Sequence, residues 1–397
     1  MSITRAPASV GVVNDVPLTT RNADLADLAA MLKDQQSRKV DVVAPASAIE
    51  SVEGHWMVDG TEPVLTASGV DTTTGSFLPT EVADEGLGEK LGVPRQYLRR
   101  LRSERIDLYD ANVNGWLHGR PAVDDVPASG PDPRKFMVRT FRGDGGVGVA
   151  RAFLSDRYRI VDNLDVLMAA LEGVRASGVD TEVTACDLTE RRMYVKLAAP
   201  GVQVLAPDLL GDYRSPFDGT SGSDVPVVFA GFVLQNSEVG AGAWSLVPRI
   251  TFRVCDNGLT INKDAFRHVH LGAKLDEGVV RWSDETQQRN LELVTSMSRD
   301  AVATFLNVDY LRGVLDRLRE KAGKPVEDAA GTVERVVREV RLTAHQDAVL
   351  EHFIRGGSMT AGGVMNAVTS VAQTLEDADA AADVEAAAFD ALVSAAR

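Results

Sequence analysis

Two groups of residues in this 397-residue chain have the types and spacing that chemistry requires. The first interleaves arginines with aromatics: Arg139, Arg142, Arg151, Arg157 and Arg159 with Phe153 and Tyr158. Arginine holds phosphate through a planar two-donor fork, and aromatic rings stack on bases. Such a mixture suits a groove for a single-stranded polynucleotide. Arg95, Arg99 and Arg102, spaced i, i+4 and i+7, would add a phosphate-contacting helix to that groove. The competing reading is scaffold, in which these arginines pair with Asp144, Asp156, Asp162 and Asp165.

The second group is Cys255, Asp256, Asp264, His268 and His270, all ligand-type side chains within sixteen residues. His268-x-His270 would project both rings to one side of a strand, which is compatible with a metal. No CxxC, no HExxH and no second histidine cluster accompanies it. Cys255 ends an apolar strand, where a buried thiol is commoner than a ligand, and Asp256-Asn257-Gly258 is a natural turn. A metal-dependent hydrolase on this segment is therefore the minor alternative, and neither metal nor cofactor is assigned. The chain also lacks GxSxG, and Gly356–Gly363 lacks the lysine of a phosphate-binding P-loop. No catalytic residue is assigned.

The elements that must position these residues follow from periodicity. Gly143-Asp144-Gly145-Gly146, flanked by Val138, Phe141, Val147 and Val149, predicts a hairpin carrying the arginine–aromatic set. Pro94 to Tyr109 predicts one helix with Tyr97, Leu98, Leu101 and Leu108 as its apolar stripe. Asn22 is expected to cap a helix ending near Lys33, and Asp162 or Asn163 one from Leu164 to Arg175. Further strand pairs are expected at 181–188 with 192–197 and at 227–234 with 245–254. Beyond Asp284 the spacing is helical almost throughout.

The expected fold class is α+β, with antiparallel strand pairs and packed helices in the middle and a mostly helical C-terminal region. The expected parts are 1–90, 91–282 and 283–397. Net charge is −15, but its distribution matters more than its sum. The first part carries 6 Lys/Arg against 14 Asp/Glu, the middle 24 against 24, and the last 12 against 19. Acidity therefore sits in the flanks, and the middle can still present a basic face. Two cysteines, no charged-then-apolar leader and no run of eighteen apolar residues lead us to expect a cytoplasmic protein without a membrane partner.

Several landmarks in order carry a resemblance. They are Leu91-Gly-Val-Pro94 with Tyr97 and Arg100, Asn114-Gly-Trp-Leu117, Val138-Arg-Thr140 and Arg151-Ala-Phe-Leu-Ser-Asp-Arg-Tyr-Arg159 with Asp162-Asn163. Cys255-Asp-Asn-Gly-Leu259, the His268/His270 segment and Asn366-Ala-Val-Thr369 continue the series. Over roughly residues 75–395 the chain resembles the phage/plasmid-like proteins built on a large domain of unknown function. That resemblance implies a mobile-element protein and brings no established activity with it. Strands packed with a helix are also similar, as fold-level analogy, to the ring-forming single-strand annealing proteins of recombination. The combined expectation is a homo-oligomer that binds single-stranded DNA. The alternative is a non-catalytic assembly protein, for which acidic flanks and an Ala-rich final helix suit subunit packing.

Overall fold

The computed structural model of the chain describes residues 3–60, 64–66, 69–71, 73–120, 128–158, 161–268 and 284–397. A hairpin of β1 (Ser9–Val13) and β2 (Val16–Ala23) leads to α1 (Leu25–Arg38) and β3 (Lys39–Pro45). Next come β4 (Ile49–Val52), β5 (His55–Val58), the small pair β6 (Val64–Thr66) and β7 (Gly69–Asp71), and β8 (Gly75–Pro79). Three helices follow, α2 (Glu81–Leu91), α3 (Arg95–Glu104) and α4 (Ile106–His118), then the hairpin β9 (Lys135–Phe141) and β10 (Val147–Ser155). After α5 (Asn163–Ala176) come β11 (Glu182–Leu188), β12 (Met193–Leu205) and the single turn α6 (Pro207–Leu210). Strands β13 (Val227–Asn236), β14 (Trp244–Phe252), β15 (Asn257–Thr260) and β16 (Phe266–His268) complete the β structure. The chain ends in α7 (Asp284–Phe305), α8 (Val308–Ala322), α9 (Ala329–Glu339), α10 (Gln346–Gly356), α11 (Ala361–Ala372) and α12 (Ala378–Ala395).

Among the described residues these strands build two main sheets, and the fold is α+β. The smaller has the order β3-β9-β10-β8-β5-β4, antiparallel except where β10 meets β8. Helices α2, α3 and α4 cover it, burying Leu87, Leu98, Tyr109 and Val113 against Trp56, Phe136 and Phe153. The larger has the order β1-β2-β11-β12-β13-β14-β15, with β16 also pairing β14. Its core is continuous with α1, α5 and the C-terminal helices. Side chains of a strand alternate between faces. Met193, Val195 and Leu197 of β12 accordingly join that core, while Tyr194 and Lys196 turn to acidic residues of α12.

The layers do not follow the expected parts. The 90/91 boundary runs through the smaller sheet, whose strands β3 to β8 pair with β9 and β10 from the next part. The larger sheet takes β1 and β2 from the N-terminus, and its helices share one core with it rather than forming a separate region. Strand pairing across ninety or more residues leaves no local mark on composition. Two helix expectations also shift. Asn22 lies in β2 with a left-handed φ of 51°, and Asp24 caps α1 by accepting the N–H of Asp27. The helix expected over Pro94–Tyr109 breaks at Arg105, whose extended ψ of 75° separates α3 from α4. Within α3, Leu98 and Leu101 are buried while Tyr97 faces solvent, and beyond the break Leu108 is exposed as well.

Candidate functional site

The β9–β10 hairpin brings most of the expected groove residues together, but inside the protein. Arg139 is 0% exposed. It donates through Nε and Nη2 to Asp41 Oδ2 at 3.0 and 2.7 Å, and through Nη2 to Asp162 Oδ1 at 2.7 Å. Its Nη1 donates to the carbonyl of Glu238 at 2.8 Å. Lys39 Nζ donates to the second oxygen of Asp162 at 2.5 Å. Arg151 pairs with the carboxylate of Glu238, which also accepts the N–H of Asn163, and lies 4.2 Å from the centroid of the Phe141 ring. Three cations (Lys39, Arg139, Arg151) therefore meet three carboxylates (Asp41, Asp162, Glu238) where the two sheets join.

Arginine suits this place because its fork can serve several acceptors at once, and a buried charge is tolerated only when paired and hydrogen-bonded. Burial alone would favour the neutral acid of Asp162. Arg139 and Lys39 outweigh it and hold that carboxyl down at about 2. Arg139 and Arg151 are thus spent on scaffold and cannot reach a phosphate. Phe153 is 0% exposed, with its ring 5.5 Å from Trp56 and 4.6 Å from Phe136, and it cannot stack on a base. Tyr158 is half-buried beside Val82 and Leu154, with its hydroxyl 3.5 Å from the carbonyl of Ser237. Arg142 is partly buried, Arg157 is exposed, and Arg159 lies outside the described residues. The hairpin groove is corrected accordingly. Of the four aspartates expected as partners, Asp162 is one, while Asp144 instead accepts from Arg38 at 2.7 Å.

The helical part of the expected site lies outside. Arg102 is the exception: it pairs with Asp84, donates to the carbonyl of Gly54 at 2.8 Å and lies 4.0 Å from the centroid of the Tyr109 ring. The Tyr109 hydroxyl donates to Asp84 at 2.6 Å and accepts from Trp56 Nε1 at 3.0 Å, and burial beside Asp84 raises its pKa. Arg95 and Arg99 are exposed; Arg99 meets the exposed Glu81 at 3.0 Å, and Arg95 lies 3.7 Å from Glu85, which is largely buried and paired with Arg191 at 2.8 Å. Arg100 and Arg105 are exposed with Glu104 and Asp107. The same two helices expose two aromatics that sequence reasoning did not single out for contact, Tyr97 of α3 at 46% and Trp116 of α4 at 55%. Helical spacing gives no sign of Trp116: it stands seven residues after the buried Tyr109, so the pattern places it at the edge of the same face.

The ligand-type residues of the second group diverge. The Cys255 thiol is buried and lies 3.7 Å from the Tyr213 hydroxyl. Asp264 accepts from Tyr310 at 2.9 Å and Arg317 at 3.0 Å, while Asp256 turns to Arg253. The backbone of His268 pairs with Trp244 at the end of β16, and His270 lies outside the described residues. Among the described residues no cluster of three or more His, Cys, Asp and Glu side chains could hold a metal ion. Nor, among them, is any helix long and apolar enough to cross a membrane.

Fold and site together define a two-sheet α+β protein with an arginine- and aromatic-bearing helical face. Neither protein-family models nor curated proteins nor solved structures provide a match to the chain.

Proposed function

We propose that the protein is a mobile-element factor that binds single-stranded DNA through the outer surface of α3 and α4. The observation that supports this reading is the exposure of Arg95, Arg99 and Arg100 on helices that also expose Tyr97 and Trp116. The partners of Arg99 and Arg100, Glu81 and Glu104, lie at the surface, where an ion pair contributes about 0–1 kcal/mol, so a phosphate can take the carboxylate's place. Solvent-facing aromatics and arginines are the residue types that single-strand binders use, with stacking worth about 1–3 kcal/mol per base. The resemblance over roughly residues 75–395 to proteins of phages and conjugative elements supports only the mobile-element part of this proposal.

Fluorescence anisotropy with labelled single- and double-stranded oligonucleotides across a salt series tests it. Single strands are expected to bind tighter than about 10⁻⁴ M at low salt and to weaken as salt rises. Arg99→Ala and Trp116→Ala should each weaken binding about five- to tenfold. Binding no tighter than about 10⁻⁴ M at low salt, or a Trp116→Ala variant that binds like wild type, defeats the proposal.

The assembly reading has its own support at the free edge of the larger sheet. β1 leaves one edge unpaired among the described residues, and Val10 and Val12 project from it into solvent. The strand holds no charge and no proline, and its protection against pairing with another chain is limited to its length of five residues and a register shift at Gly11/Val12. A second copy placed along β1 would cover both valines. Light scattering is expected to show an assembly larger than a monomer, and Val12→Lys to reduce it to one. A wild-type monomer at about 100 μM, well above the dissociation constant of a stable interface, contradicts this part.

A further inference from the structure

A second polar site lies on the other face of the larger sheet, beneath α12. Arg21 of β2 and Asp187 of β11 close on one another there with two contacts of 2.7 Å. The next two cations along the sheet, Lys196 of β12 and Arg249 of β14, are more than nine-tenths buried. Both turn to a single buried carboxylate, Glu385 of α12, at 3.2 and 3.5 Å. Asp187 is also 3.7 Å from Lys196, but Arg21 already neutralises it. One buried positive charge is therefore left over, an arrangement that calls for an anion.

Hydrogen-bonding capacity is left over as well. Arg249 Nη1 donates to Thr251 at 2.8 Å, but its Nε has no partner among the described residues. The hydroxyl of Thr260, cross-strand from Arg249 and more than nine-tenths buried, has none either. A buried polar group without a partner costs about 1–3 kcal/mol, which a bound acceptor would recover. Lys196, Thr260 and Glu385 line one open cavity of about 290 Å³, which Gln235, Ser245 and Asn262 extend with neutral polar groups. Arg192 and Asp383 complete its charged lining, and Arg192 is also under the charge of Asp379, which accepts from Tyr194 at 2.7 Å.

We propose that this cavity binds a small oxyanion, the carboxylate or phosphoryl group of a metabolite-sized ligand. The oxyanion sits against Lys196 and the Thr260 hydroxyl, with Arg249 supplying charge from behind. Glu385 is the competitor: it fixes Lys196 and Arg249 in place and at the same time repels the incoming anion. This assignment is independent of DNA binding, since α12 and the α3–α4 surface share none of these residues.

Isothermal titration with inorganic phosphate and with acetate, at constant ionic strength, tests the site on the full chain. At least one of the two should bind saturably, one per chain. Thr260→Val should weaken it about fivefold, the worth of one hydrogen bond. Glu385→Gln should tighten it about tenfold by removing the competing charge, an effect of opposite sign that a purely structural role would not produce. Arg99→Ala should leave it unchanged, separating this site from the surface arginines. Phosphate binding without acetate assigns the phosphoryl group, and the reverse assigns the carboxylate. The proposal is overturned by no saturable heat from either anion up to about 10 mM, or by Thr260→Val and Glu385→Gln both binding like wild type.

Discussion

Replacing Arg139 with methionine should destabilise the fold by about 3–5 kcal/mol, because it leaves buried carboxylates without their main partner. Methionine keeps the aliphatic volume but removes the fork that joins Asp41, Asp162 and the Glu238 carbonyl. Lys39 and Arg151 would then face three carboxylates alone. The same network limits acid stability. The folded pKa of Asp162, about 2, lies below its ordinary 3.8, so its contribution is fully present above the ordinary value. It drains away as pH falls from there through about 2, and amounts to about 2 kcal/mol across that window. Urea unfolding at neutral pH checks the first claim, and repetition at descending pH checks the second. A midpoint shift for Arg139→Met worth less than about 1 kcal/mol would show that the network is solvated rather than buried. Arg99→Ala, on the surface, should stay within about 0.5 kcal/mol of wild type.

That contrast marks what could be read from the chain and what could not. The α+β class and the hairpins at β9–β10, β11–β12 and β13–β14 rest on alternation and short polar or glycine turns within one short window, and they are legible there. The partners of Arg139 are not. Asp41 stands 98 residues before it and Glu238 99 residues after it, and nothing local says that an arginine in an alternating strand faces them. Only Asp162, 23 residues on, came within the range of sequence reasoning. The surface arginines were easier, because an i, i+4, i+7 spacing on a helix is a local fact. Even so, Arg102 belongs to the interior, through Asp84 and Tyr109, and its spacing could not distinguish it from Arg95 and Arg99. The cavity beneath α12 left fainter marks: a lysine inside Met193-Tyr-Val-Lys-Leu-Ala-Ala199, an arginine inside β14, and one glutamate in an alanine-rich helix. Each is a charge where the local pattern asks for an apolar residue. Such exceptions are a better guide to a buried site than the arginine count of a hairpin.

Phe153→Ala should cost about 3–5 kcal/mol, the range for removing a large aromatic from a packed core. The loss includes the ring contacts with Trp56 and Phe136 and the void they leave. That void cannot close by the approach of α2. Gly86 already brings this helix against the Phe153 backbone, where a Cβ would stand 2.5 Å from its carbonyl oxygen. Collapse is therefore blocked on one side, which places the cost toward the upper end of the range. The sharper consequence is a double dissociation. Phe153→Ala should lower the urea midpoint while leaving the single-strand affinity of the folded protein intact. Trp116→Ala should leave the midpoint within about 0.5 kcal/mol of wild type and weaken the affinity. If Phe153→Ala lost DNA binding at a temperature where it is still folded, the hairpin rather than the α3–α4 face would be the contact surface. Such a result would require β10 to separate from α2, exposing a ring that the core now encloses.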